Sequence, residues 1–116
     1  VNINKILENE ITDIINLMPA WEKYGNVTPT EQIIERTREL CKLLIIPHPD
    51  EIEIYQMEHG TISIEISRST WSMKAEIGQI TANYYTIDAG DRLHAYEQKA
   101  DTGMKEMAED MNKNMR

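Results

Sequence analysis

The sequence predicts an α+β domain: two N-terminal helices on one face of a four- or five-stranded antiparallel meander, followed by a possible short C-terminal helix. Three observations predict it. Apolar residues recur every three or four positions through Leu44. From residue 51 that period falls to two. The links between the alternating runs are short, which favours antiparallel neighbours, and two helices can cover one face of such a sheet. A chain of 116 residues supports one core rather than two. Residues 1–100 are expected to form the domain and 101–116 an amphipathic helix or tail.

The first helix is read over residues 3–18. Ile3, Ile6, Leu7, Ile11, Ile14, Ile15 and Met18 form one stripe, and Pro19 is expected to end it. A connector over residues 19–29 carries Trp21 and Tyr24. Thr28, Pro29 and Glu31 then match a helix start, with threonine as cap, proline at the first helical position and glutamate closing the capping box. Ile33, Ile34, Thr37, Leu40, Cys41 and Leu44 make the inward stripe of the second helix, which Pro47 and Pro49 stop.

Strands follow. Ile52 and Ile54, then Ile62, Ile64 and Ile66, then Trp71, Met73, Ala75 and Ile77 each alternate with polar residues. Residues 80–87 read as a fourth strand and 93–98 as a weaker fifth. Parity fixes the first hairpin. A two-residue turn would set Ile54 against Glu65, whereas a three-residue loop of Glu58, His59 and Gly60 pairs Ile54 with Ile64 and Ile52 with Ile66. The second register is preferred, with Gly60 in the left-handed conformation. Met104, Met107, Met111 and Met115 then recur at helical spacing on a polar segment that is marginal alone. It can dock on the sheet, dock on a partner subunit, or fray.

Composition excludes several function classes. The single cysteine, Cys41, rules out an internal disulfide; it is read as a buried structural thiol, and a cytoplasmic location is expected. No apolar run is long enough for a membrane span, and the first residues do not read as a signal peptide. Twenty acidic against 12 basic side chains, a net charge of −8, argue against direct nucleic-acid binding. No glycine-rich phosphate loop, nucleophile elbow or metal-ligand motif is present, so no catalytic residue, metal or cofactor is expected. Asp88, Gly90 and Asp91 lack the further oxygen ligands of a calcium loop and read as a turn. His48, His59 and His94 lie far apart in sequence and are expected to be solvated.

The charge is unevenly placed. Between Lys42 and Arg68 there is no lysine or arginine, and the interval holds Asp50, Glu51, Glu53, Glu58 and Glu65. Alternation turns Glu51, Glu53, Tyr55, Ser63 and Glu65 away from the helices, and of the adjacent Tyr84 and Tyr85 one must point the same way. Carboxylates edged by tyrosines suit a protein-binding face for a partner with a basic surface. The plainer alternative is that they solvate the strands and blunt aggregation.

The run L-M-P-A-W-E-K-Y-G, the T-P helix start, the P-H-P bend and the H-G-T-I-S-I-E-I hairpin together resemble a family of small bacterial and phage-encoded proteins of unknown function. The matching positions are Trp21, Gly25, Pro29, Pro47, Pro49, Gly60, Ile62, Ile64 and Glu65, within residues 17–87. Glu22 stands where members often carry aspartate, and Ile66 where they often carry tryptophan. The resemblance implies one compact unit and no reaction. It also implies a phage or mobile-element setting, in which inhibition of a host defence or nucleic-acid-processing protein is one role.

Three readings follow. The first is a non-catalytic protein-binding module using Glu51, Glu53, Tyr55, Glu58, Ser63 and Glu65. The second is a small enzyme or small-ligand binder with a pocket lined by Trp21, Tyr24 and His94. The third is an assembly component, with a homodimer formed through the methionine segment or the uncovered sheet face.

Overall fold

The structure, a computed structural model, describes residues 3–46, 49–88, 90 and 92–114. Helices α1 (Ile3–Lys23) and α2 (Glu31–Leu43) precede strands β1 (Glu51–Gln56), β2 (Ile62–Arg68), β3 (Trp71–Ile77), β4 (Thr81–Ile87) and β5 (Leu93–Lys99). A 3₁₀ turn over Ala100–Thr102 leads into α3 (Lys105–Asn114). The strands form one antiparallel sheet in the order β1-β2-β3-β4-β5, so the α+β meander is as expected and its fifth strand is complete. The core lies between the helices and one sheet face. Its centre is Ile62, Ile64, Ile66, Ala75, Ile77 and Tyr84 from the strands with Leu7, Ile11, Leu40 and Met107 from the helices.

The first hairpin has the expected register: Ile52 faces Ile66 and Ile54 faces Ile64. Met57 N donates to Thr61 O at 2.8 Å, and Gly60 N to Met57 O at 3.0 Å, closing the loop over Gly60 at φ +88°.

Three local expectations are corrected. First, α1 does not stop at Pro19 but runs on to Lys23. An interior proline costs a helix about 3 kcal/mol. Here the apolar stripe continues through Met18 and the part-buried Trp21, and that packing outweighs the lost bond. The helix closes instead at Gly25 (φ +83°): Asn26 N donates to Trp21 O and Gly25 N to Glu22 O, the paired bonds of a Schellman motif. Second, the cap of α2 is Thr30 rather than Thr28. Thr30 Oγ1 accepts from Ile33 N at 3.3 Å, whereas Thr28 Oγ1 donates to Glu22 Oε1 at 2.9 Å. Third, α2 ends at Leu43, with Leu44 as its C-cap, before the prolines that were expected to stop it. Pro47 lies outside the described residues.

The methionine segment docks on its own chain. Met104, Met107 and Met111 are buried in the core, and α3 packs on α2 and β5. The two helices complete each other's ends. Glu39 Oε1 accepts from Met104 N at 3.1 Å, while the Asn112 amide donates to Leu43 O and accepts from Ile45 N. The expectation that this stripe forms a subunit contact fails for these three residues; Met115 lies outside the described residues.

Cys41 is buried, as expected. Burial first, then the nearby Glu8 carboxylate, push its thiol up to about 12. The unfolded thiol ionises near 9.0, so its contribution to folded-state stability is lost as pH rises from there. Below that pH an alkylating reagent is expected to modify Cys41 only at the rate of unfolding, which mass spectrometry with and without denaturant measures. Ile64→Ala, at the fully buried centre of β2, is expected to cost about 2–5 kcal/mol in urea unfolding.

Candidate protein-binding face

The face opposite the helices is covered by no described element. Registered rows cross it from β1 to β5. One runs Glu51, Ser67, Ser72, Ile87, Leu93; the next runs Glu53, Glu65, Lys74, Tyr85, Ala95; a third runs Tyr55, Ser63, Glu76, Asn83, Glu97. Alternation built these rows: the residues between them are the core isoleucines, Met73, Ala75 and Tyr84.

At the β1–β3 side the rows enclose a shallow depression of about 260 Å³ whose walls include Glu51, Glu53, Glu65, Ser67, Lys74 and Tyr85. Glu53 and Glu65 face each other directly across the strands, an arrangement that destabilises a sheet. Glu65 is relieved: Tyr55 Oη donates to its Oε1 at 2.8 Å, and Lys74 Nζ stands 3.5 Å from the same atom. The Lys74 ammonium also lies 5.9 Å from the centre of the Tyr55 ring, and Tyr55, then Glu65, raise its pKa. Among the described residues no cation pairs with Glu51 or Glu53. Three carboxylates therefore meet one ammonium.

Four of the six expected binding residues come together here: Glu51, Glu53, Tyr55 and Glu65. Ser63 does not belong with them. It sits on the outer face but is fully buried, with Tyr55 and Glu76 as its direct partners on β1 and β3, and Ser63 Oγ donates to Ala75 O at 3.3 Å. Glu58 is exposed at the hairpin tip, beyond the depression. Lys74 was the missed member. The interval free of cations in sequence acquires one in space, through the β2–β3 register that sets Lys74 against Glu65.

The proposed pocket of Trp21, Tyr24 and His94 does not form. Trp21 and Tyr24 lie at the end of α1, which packs on β1, while His94 belongs to β5 at the opposite sheet edge. Tyr24 is 82% exposed. His94 instead lines a cavity of about 570 Å³ with Trp71, Thr86, Arg92 and Asn114 among its neighbours. Neither described histidine is merely solvated. His94 Nε2 lies 2.9 Å from Asp110 Oδ2, which also accepts from the buried Tyr84 hydroxyl; burial first, then Asp110, raise the Tyr84 pKa. His59 Nε2 lies 2.8 Å from Glu76 Oε2 and 3.1 Å from Thr61 Oγ1. His48 is outside the described residues.

Among the described residues no group of three His, Cys, Asp or Glu side chains is placed to hold a metal ion, and no helix is long and apolar enough to cross a membrane. No family model, curated protein or solved structure matches the chain.

The Thr61 hydroxyl, then the His59 ring, hold the Glu76 carboxyl below its usual 4.5. A depressed carboxylate stabilises the fold above its unfolded pKa, and that stability is lost as pH falls through the folded value. Glu76→Gln is expected to flatten the acid limb of the stability–pH profile below 4.5, read by urea unfolding across pH.

Proposed function

We propose that this chain is a non-catalytic protein-binding module whose partner presents a basic surface to the uncovered sheet face. In the setting implied by the family resemblance, it acts as a phage or mobile-element inhibitor of a host defence or nucleic-acid-processing protein. One observation carries the reading. Glu53 stands directly opposite Glu65 with no cation paired to it among the described residues, on a face that no described element covers.

Solvation alone does not require that pairing. A sheet that needed only a wet face would gain by alternating opposite charges across its strands. The uncompensated carboxylates cost the free chain stability and attract a partner that supplies lysine or arginine. The same field repels nucleic acid, so such a partner is captured by surface mimicry of a polyanion rather than through a shared ligand. The half-buried Tyr55, fixed by its bond to Glu65, adds a rigid amphipathic edge of the sort that enriches binding surfaces.

Stability and binding should therefore move in opposite directions. Glu53→Lys gives Glu65 an opposite charge across the strand and is expected to stabilise the free chain by about 1 kcal/mol in urea unfolding. The same substitution should slow association with a partner captured from the host by about tenfold at low salt, measured by surface plasmon resonance. Unchanged association would remove the electrostatic reading.

A further inference from the structure

The open face has a second half. On β4 and β5, centred about three strands from the carboxylates of β1 and β2, Tyr85, Ile87, Leu93 and Ala95 sit side by side and all are exposed. Leu93 is 67% exposed, and Ile87, its direct cross-strand partner, 37%. Scattered surface apolar residues need no explanation, but four on adjacent strands of a face that no described element covers form a patch. The row Glu51, Ser67, Ser72, Ile87, Leu93 passes from charged through hydroxyl to aliphatic across the five strands.

We infer that the face is bipartite and that its partner is a protein surface bearing an apolar anchor and a basic cluster about 14 Å apart, three strand spacings of about 4.8 Å. The inference rests on the proposed function and adds the anchor to it. Each half has its own task. The carboxylates attract and orient; Ile87 and Leu93 hold the complex once water leaves, with Tyr85 at the boundary between the halves.

Charge selects this occupant over the others. A second copy would meet the face through a two-fold axis, and an isologous contact must be self-complementary. This face is not. Superposing like halves sets Glu51, Glu53 and Glu65 against the same carboxylates. Superposing unlike halves buries them against Ile87 and Leu93, where unpaired charge is expensive. An anionic membrane surface would accept the apolar half but repel the acidic one. Only a surface that is cationic at one end and apolar at the other satisfies both.

The test uses two synthetic peptides and the full chain. The first carries paired lysines and paired leucines four residues apart, about 14 Å when extended; the second has serines in place of the leucines. Amide shifts in ¹⁵N-labelled chain give the site and the affinity. The leucine peptide is expected to shift β1, β2, β4 and β5 and to bind about tenfold more tightly than the serine peptide. Leu93→Ser, an exposed position whose variant is checked by thermal unfolding, should remove that advantage and leave serine-peptide binding unchanged. If leucines add nothing, or if their advantage survives Leu93→Ser, the bipartite face is overturned while the acidic reading stands. If neither peptide shifts β1 or β2, both fail. If the wild-type chain sediments as a dimer and Leu93→Ser as a monomer, the occupant is a second copy and the inference is wrong.

Discussion

Gly60 is the constraint on which the rest depends. It closes the first hairpin at φ +88°, a conformation that side-chain-bearing residues rarely adopt. A Cβ there would also lie 2.8 Å from Val27 Cγ1 and 3.3 Å from Thr28 O, so the connector between the helices rests directly on the glycine. The loop it closes sets the parity of β1 against β2. A slip of one residue would carry Ile52 and Ile54 to the open face and bring Glu51 and Glu53 under the helices. The core and the acidic row are thus two results of one turn. The Gly25 closure of α1 complements it: the Trp21 and Glu22 carbonyls end the helix and aim Val27 at the hairpin, where it bridges to His59.

The helical layer is coupled more tightly than its sequence suggests. A ten-residue polar helix is marginal in water. α3 persists because its two methionines, with Met104 just before it, are buried in the core and because its ends trade hydrogen bonds with α2. Under it, the core-facing positions of β5 are His94, Tyr96 and Gln98 rather than aliphatic residues. Their polar atoms reach Asp110 and, from Gln98, the Gly103 carbonyl. This edge of the core is held by hydrogen bonds and methionine, the other by isoleucine.

That contrast explains what was legible in the sequence. Strands β1 to β3 were readable because period-two apolar residues, isoleucines in β1 and β2 and Trp71, Met73, Ala75 and Ile77 in β3, leave one viable register. β5 was faint because its core-facing residues are His, Tyr and Gln, which carry no hydrophobic period. Helix periodicity was legible, but its ends were not. Pro19 is tolerated where a stripe continues past it, and the choice between Thr28 and Thr30 as cap turns on a bond to Glu22 that propensity does not encode. At the open face, alternation located Glu51, Glu53 and Glu65. It could not reveal that Ser63 is fully buried on that face, since alternation assigns a side and not the degree of burial. Lys74 was readable in principle, because the short β2–β3 turn fixes its register against Glu65. The exposed Ile87 and Leu93 gave no signal of their own, since aliphatic residues in a strand ordinarily point inward.

The alternation that separates the two sheet faces also separates two kinds of inheritance. Every second strand residue answers to the core and is held by packing to within a methyl group. Most of those between answer to whatever lies against the open side; Ser63 and Glu76, held by hydrogen bonds within the chain, are exceptions. Substitutions at positions such as 51, 53, 72, 85, 87, 93 and 95 leave the isoleucine layer untouched. The open face can therefore change in composition without the fold first passing through an unstable intermediate. For a designer in need of a small randomisable surface, that independence is the scaffold's most useful property.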